Sequence, residues 1–485
     1  MKLNLLAARI LCALIAAFIS LSASAYSFQI DGVYYQINYS TDPKTVSVTY
    51  SGNGKPTFNT SAVYSGDIII PDKITYRDVE YLVNAISDHA FRGCKKLKTV
   101  SLPSTITRIG NSAFEGCESL SEIDIPENVT SIGAGIFSSC TNLQTVSLPP
   151  HITGIYLSSF EGCSALSKIV IPQNVTLIKD KAFLGCTNLQ TISLPSTLSV
   201  IGKRAFEGCA SLSQIDIPEN VTLIDNQTFS GCTNLQTISL PSNLTSVGQW
   251  AFYKCSSLTE LKLPEKITSI GSSAFSNCSK LSTINIPSGV ISIESFTFSV
   301  CEALSSITIP ENVKTINEFA FQACSKLTSI IIPDNVETIQ EGAFRSCNKI
   351  VEVSIGTGLK TIGADAFEGC FNLKNITVNA INPPTAVEIP EGQSSGGTFI
   401  TRQYANTDLR VPAESIEKYR TAPVWENFFK DRNPLTGIDG VEAADGAESE
   451  VVARYDLSGR PVADDYRGMT IVRRADGSTA KEILR

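Results

Sequence analysis

Apolar and polar positions recur along most of this chain with a period of 23 residues. Counted from a cysteine, Leu stands at +3 (Leu97, Leu120, Leu143), aliphatic residues at +6 and +8 (Ile123 and Ile125, Ile215 and Ile217), and Pro usually at +9 (Pro126, Pro218). Aliphatics follow at +12 and +15 (Val129, Ile132), and a phenylalanine lies three residues before every cysteine of the series, from Phe91 to Phe367. The thirteen cysteines run from Cys94 to Cys370 without an insertion. The alternation around +6 and +8 has period two and predicts a short strand, which the proline then ends. The A-F-x-G-C stretch is too short for more than one helical turn. Each period therefore reads as a strand, a second extended or turn segment, and a tight turn. A self-similar period of this length marks a solenoid. At an inter-strand spacing of about 4.8 Å, its coils make a rod roughly 60 Å long. A single coil has nothing to bury its apolar face against, so stability arises between neighbours and both ends need caps.

The pattern also sets the organisation. Residues 1–25 read as a signal peptide: Lys2 and Arg9 lead, an apolar core spans 10–21, and Ala23-Ser24-Ala25 precedes Tyr26. Cys12 lies inside that core behind Leu11, which argues against lipoprotein processing. Residues 26–86 form an N-terminal cap and first coil, and 87–380 the solenoid. The proline at +9 becomes Gly356 and Asn379 in the last two coils, and the period stops after Pro383-Pro384. Residues 381–436 then read as a C-terminal cap, with Val411, Ile416, Tyr419, Trp425 and Phe428 available to cover the last coil. Residues 437–449 are Gly-, Ala- and acid-rich and read as a linker. Residues 450–485 alternate apolar and polar, with turns at Ser458-Gly459 and Asp476-Gly477. "TNLQT" recurs at 141, 187 and 233, and Asn-Val-Thr at 128, 174 and 220, so decorations repeat every second coil.

The repeat L-x-x-I-x-(I/L)-P-x-x-(V/L)-x-x-I-x-x-x-A-F-x-G-C, over about residues 67 to 378, resembles the BspA-type leucine-rich repeat family of bacterial surface proteins. Phe28, Asp31, Gly32, Tyr34 and Tyr35, with the stretch from Ser65 to Ile86, resemble that family's N-terminal region. The resemblance implies a β-rich solenoid, a right-handed leucine-rich repeat coil array with caps at both ends and a small C-terminal β unit. It also implies a non-enzymatic adhesion role. Tyr455, Asp456, Leu457, Gly459, Arg460, Val462, Gly468, Ile471, Val472 and Gly477 resemble the C-terminal sorting domains of type IX secretion, which implies export to the cell surface or medium. An inert terminal hairpin is the alternative.

Exported cysteines usually pair, but here three features oppose disulfides. The mature chain holds an odd number, each lies in the core-facing A-F-x-x-C run, and parallel side chains in register rarely reach a disulfide dihedral. A buried ladder of free thiols acting as small hydrophobes is expected. Catalytic chemistry is scarce. Of the two histidines, His89 falls at a variable position and His151 in a turn, both read as solvated decoration. No phosphate loop, metal cluster or cofactor site is evident. The net charge of −8 makes nucleic acid and anionic membranes poor partners. No apolar run after the leader is long enough to span a membrane. The chain is expected to be monomeric.

Binding would live on the outward strand positions, +5 and +7: Thr99 and Ser101, Glu122 and Asp124, Thr145 and Ser147, Lys168 and Val170, Thr191 and Ser193, Gln214 and Asp216, Thr237 and Ser239, Glu260 and Lys262. This is a sheet of short hydroxyls punctuated by acids, suited to an extended extracellular protein or glycan ligand, or simply a soluble face rich in Thr. Glu122 and Asp124 point the same way, but no third carboxylate flanks them to hold a cation. Trp250 and Tyr253 should lie on the turn edge, with Tyr156 on an earlier coil, as a platform for sugar or as ordinary surface aromatics. Asn128, Asn174 and Asn220 read as turn residues rather than glycan acceptors. Three functions stay open: protein adhesion, glycan capture for polysaccharide uptake, and, with almost no support, hydrolysis.

Overall fold

The computed structural model describes residues 26–51 and 63–430, and the backbone of strands Val451–Tyr455, Gly468–Arg474 and Thr479–Leu484. The expected leader, the linker and much of the C-terminal turn chemistry lie outside the described residues. The chain divides into two compact units, residues 1–435 and 436–485.

Nearly every coil carries two short strands, the coil after Cys301 only the second, Thr315–Ile316. In one coil they are Glu122–Asp124 and Ser131–Ile132, and both pair parallel with the equivalent strands of adjacent coils. The third side, running up to the cysteine, is a series of turns. It too is stitched between coils by main-chain bonds, such as Phe91 N to Ala113 O at 2.7 Å and Gly93 N to Glu115 O at 2.7 Å. The second-strand ladder runs in sets of three or more strands. The first-strand ladder breaks into pairs along its middle, 122–124 with 145–147, 168–170 with 191–193, 214–216 with 237–239, and 260–261 with 283–284, and then runs unbroken through four strands from Ser329–Ile332 to Asp408–Arg410. The first three of these pairs follow the two-coil period of the decorations. In the "TNLQT" coils the +8 leucines Leu148, Leu194 and Leu240 are only partly buried, whereas Ile125, Ile171 and Ile217 of their partners are buried.

The core is a column. Phe91 through Phe367 stack with ring centroids 5.1 to 5.6 Å apart, and Phe399 continues the stack. Every cysteine from Cys94 to Cys370 is buried and free. Their role differs from the expected hydrophobic filler in one respect. From Cys117 onward each Sγ donates to the carbonyl of the phenylalanine 26 residues earlier, as Cys117 does to Phe91 O at 3.1 Å and Cys209 to Phe183 O at 3.3 Å. Each such carbonyl also accepts the backbone N–H three residues ahead, so the thiol fills its second lone pair. Burial pushes most of these thiols up, Cys94 to about 11 and Cys278 to about 12.

Both ends of the column are closed. At the start, β1 (Phe28–Ile30) and β2 (Val33–Asn38) form a hairpin on Asp31-Gly32, whose two left-handed residues suit a two-residue turn. β2 pairs with β3 (Thr45–Thr49), which runs parallel to β4 (Val79–Ile86). The end of β4 begins the second-strand ladder against Arg108–Ile109. Tyr64 sits on Phe91 with centroids 4.7 Å apart, and its hydroxyl donates to Thr49 O at 2.7 Å. At the far end Gln403, on the helix Thr401–Asn406, donates through Nε2 to Phe367 O at 2.9 Å. It takes the place of the next cysteine. Tyr419 Oη donates to Ala380 O, Trp425 Nε1 donates to Pro384 O, and Trp425 and Phe428 meet Phe399 edge-on. The C-terminal unit is a three-stranded antiparallel sheet with Gly468–Arg474 in the middle.

Candidate binding surfaces

Alternation in each first strand sends +6 into the core and +5 and +7 outward. Glu122, Asp124, Thr145, Ser147, Thr191, Ser193, Gln214 and Asp216 are all exposed, as is Ser101. Pairing sets Thr145 beside Glu122 and Ser147 beside Asp124, and sets Gln214 and Asp216 beside Thr237 and Ser239. Thr99 differs. It is half-buried, and its Oγ1 donates to Asp67 Oδ1 at 2.8 Å, so its hydroxyl is occupied within the fold. The face is less uniformly polar than its hydroxyls imply, because Val170 and Ile331 point outward, 78% and 69% exposed.

Where the pair 214–216 with 237–239 meets the pair 260–261 with 283–284, the face holds a cavity of about 620 Å³. Ile238, Leu261 and Ile284 form its floor, with Glu260, Lys262 and Glu265 around it. Asn285 closes the strand pair beside it: Oδ1 accepts Leu263 N at 2.7 Å and Nδ2 donates to Leu263 O at 3.0 Å. An apolar floor with both signs of charge at its rim suits one side chain of a protein partner.

Trp250 and Tyr253 do not join this face. They sit in the turn segment leading to Cys255, with Trp250 39% exposed, while Tyr253 is half-buried and Lys254 Nζ lies 5.1 Å from its ring centroid. Trp250 occupies a position, five residues before the cysteine, where φ is positive in all thirteen coils although only Gly135 and Gly342 are glycines. Phe296 and Phe319 occupy the same position and stack at 5.0 Å. The members of this pair are a full period apart in the chain, and only aligning the coils on their cysteines brings them together.

His151 is exposed, whereas His89 is half-buried at one of these corners and is no free decoration. Asn128, Asn174 and Asn220 act within turns, each Nδ2 donating to a carbonyl of the preceding coil at 2.8 to 3.0 Å. Among the described residues no group of three or more His, Cys, Asp or Glu is placed to hold a metal ion. Nor is any helix among them long and apolar enough to cross a membrane.

Residues 71–190, 153–282 and 268–383 match the BspA type leucine rich repeat region, covering well over half of the chain. Among solved structures the chain is similar to a leucine-rich repeat protein from Bacteroides ovatus, with 33% identity over 73% of this chain and 94% of that one and a TM-score of 0.61. It is also similar to a leucine rich cell surface protein from Faecalibacterium prausnitzii (25% identity, 73% and 95% covered, TM-score 0.36). The pneumococcal vaccine antigen PcpA matches at 19% identity, with 81% and 95% covered and a TM-score of 0.39. No curated protein matches the chain.

Proposed function

The chain belongs to the BspA-type leucine-rich repeat family, and from that premise we propose that it is a non-enzymatic protein, displayed at the bacterial surface or secreted, that binds extracellular protein. Proteins of this family are bacterial surface or secreted proteins, and their repeats generally bind protein. The observation that carries the reading is the first-strand face. It is a face of mostly short polar side chains set in register between paired coils, interrupted by a cavity of about 620 Å³ with an apolar floor. Such a face gives an extended partner hydrogen bonds along its length and one anchoring pocket. Export by the leader and sorting by residues 450–485 belong to the same reading.

The test is binding of the mature chain from Tyr26 to an array of extracellular-matrix proteins, mucins and glycans at physiological salt. Saturable binding to a protein that falls at least tenfold with Glu260→Ala and Lys262→Ala together is the expected result. Binding confined to oligosaccharides would replace protein adhesion by glycan capture, and turnover of any substrate would overturn the non-enzymatic reading.

A further inference from the structure

Five residues before each cysteine the chain turns a corner with φ between +51° and +62°. This left-handed conformation is disfavoured for any residue with a Cβ, and most for a bulky one. Ser112, Ser158 and Ser273 are small residues at this position, yet Trp250, Phe296 and Phe319 are among the largest side chains in the chain. The core has no use for their rings, because its column is built from Phe252, Phe298 and Phe321, two residues further on. Trp250 and Phe296 are each 39% exposed. Phe296 stacks on Phe319 with ring planes 19° apart, and a Cβ added to Gly342 in the next coil would overlap the Phe319 ring. The glycine thus makes room for the pair.

Carboxylates rim this corner. Glu294 stands two residues before Phe296, Glu318 immediately before Phe319, and Glu341 immediately before Gly342. Glu318 is held in place by the hydroxyl of Ser295. No Lys or Arg occupies the corner positions, seven to five residues before the cysteine, in the five coils from Gly248 to Gly342. Arg345 nearby is already bridged to Asp365 and Glu368.

We propose that the corner formed by Trp250, Phe296 and Phe319, rimmed by Glu294, Glu318 and Glu341, is a second docking surface that takes a basic segment of a partner protein. An Arg or Lys side chain of that segment lies over the Phe296 ring, where the π face attracts a cation, with its charge beside the Glu318 and Glu341 carboxylates. Charge complementarity selects this occupant over an acidic segment. The inference rests on the chain being a protein binder but uses a different side of the coil from the strand face.

The probe is a library of displayed 12-residue peptides panned against the full mature chain, with enriched peptides then synthesised and titrated. Enriched sequences should carry Arg or Lys. Their affinity should fall at least tenfold in Phe296→Ser with Phe319→Ser, fall similarly in Glu318→Gln with Glu341→Gln, weaken as salt rises, and stay unchanged in Glu260→Ala with Lys262→Ala. Serine at the corner is what three sister coils already carry, so the fold should survive, and an unchanged melting curve checks this. Enrichment of acidic or neutral peptides, no enrichment, or indifference to both corner variants would overturn the proposal. Loss only in the strand-face variant would overturn it while leaving the strand-face reading intact. Self-association of the chain abolished by Phe296→Ser would assign the corner to a second copy and also overturn it.

Discussion

Two positions five residues apart behave in opposite ways along this solenoid. The cysteine is the same in every coil, and its thiol makes the same bond to the same carbonyl from Cys117 to Cys370. The corner before it has the same backbone in every coil but holds His89, Ser112, Lys181, Arg204, Gln227, Trp250, Phe296 or Asp365. At the cysteine the neighbours dictate the side chain, because a buried acceptor needs a donor of that size. At the corner the stacking dictates only the backbone, and the side chain is left to the surface. Constancy therefore marks packing in this fold, and variation marks the surface.

The largest test of that contrast is alkaline pH. Burial holds Cys94 at about 11 and Cys278 at about 12, against an ordinary 9.0, and keeps Cys186, Cys209, Cys255 and Cys301 well above it. The folded values are raised, so between pH 9 and 11 the unfolded chain has lost protons that the folded chain keeps. Stability is then fully present below pH 9 and is lost as pH rises towards 12, by about 1.4 kcal/mol per pH unit for each thiol. Over the interval from about pH 9 to 10.5 this is about 2 kcal/mol per thiol, so urea unfolding at pH 8 and 10.5 should differ by on the order of 10 kcal/mol, and replacing Cys186, Cys209 and Cys255 by Ala should recover roughly 6 kcal/mol of it. Equal midpoints at the two pH values would mean the column is not closed to solvent.

Much of this interior was legible beforehand, and the reason is arithmetic. With Phe and Cys at fixed offsets, each residue has an identical neighbour in the next coil, so burial, free thiols and the strand positions follow from one period. What escaped was bonding between unlike groups in different coils. The thiol-to-carbonyl link spans 26 residues rather than 23, so it does not appear when like is compared with like. The left-handed corner leaves no residue signature, since the backbone there is set by stacking. Thr99 was read as an outward ligand because the strand pattern puts it there, and the Asp67 that occupies it belongs to the irregular first coil.

Gln403 sharpens the contrast at the point where the period ends. Its amide reaches Phe367 O as a cysteine would, and it also accepts Ile400 N through Oε1 at 2.9 Å, which fixes the amide. Gln403→Ala leaves the Phe367 carbonyl one partner short, at a buried site, and should cost about 1–3 kcal/mol. Hydrogen exchange should then show the last coil opening ahead of the rest. Gln403→Leu, which keeps volume without a donor, should cost nearly as much. If the Leu variant were neutral, packing rather than the carbonyl's partner would be what closes the column.

The smallest effect tests the backbone strain in these turns. One residue before the cysteine the backbone is left-handed again in all thirteen coils, usually at a glycine such as Gly208 or Gly231, but Val300 adopts it with φ +60°. For a residue with a Cβ this costs about 1–2 kcal/mol, while glycine gives part of that back, about 0.5–1 kcal/mol, through the freedom of its unfolded state. Val300→Gly should therefore gain up to about 1 kcal/mol in urea unfolding, from the difference of those two costs. The same reasoning predicts that Phe296→Gly gains less, because it also removes the stack on Phe319. A gain at neither position would show that the stacked coils impose this backbone without penalty. The large side chains at the corner would then need no explanation from binding.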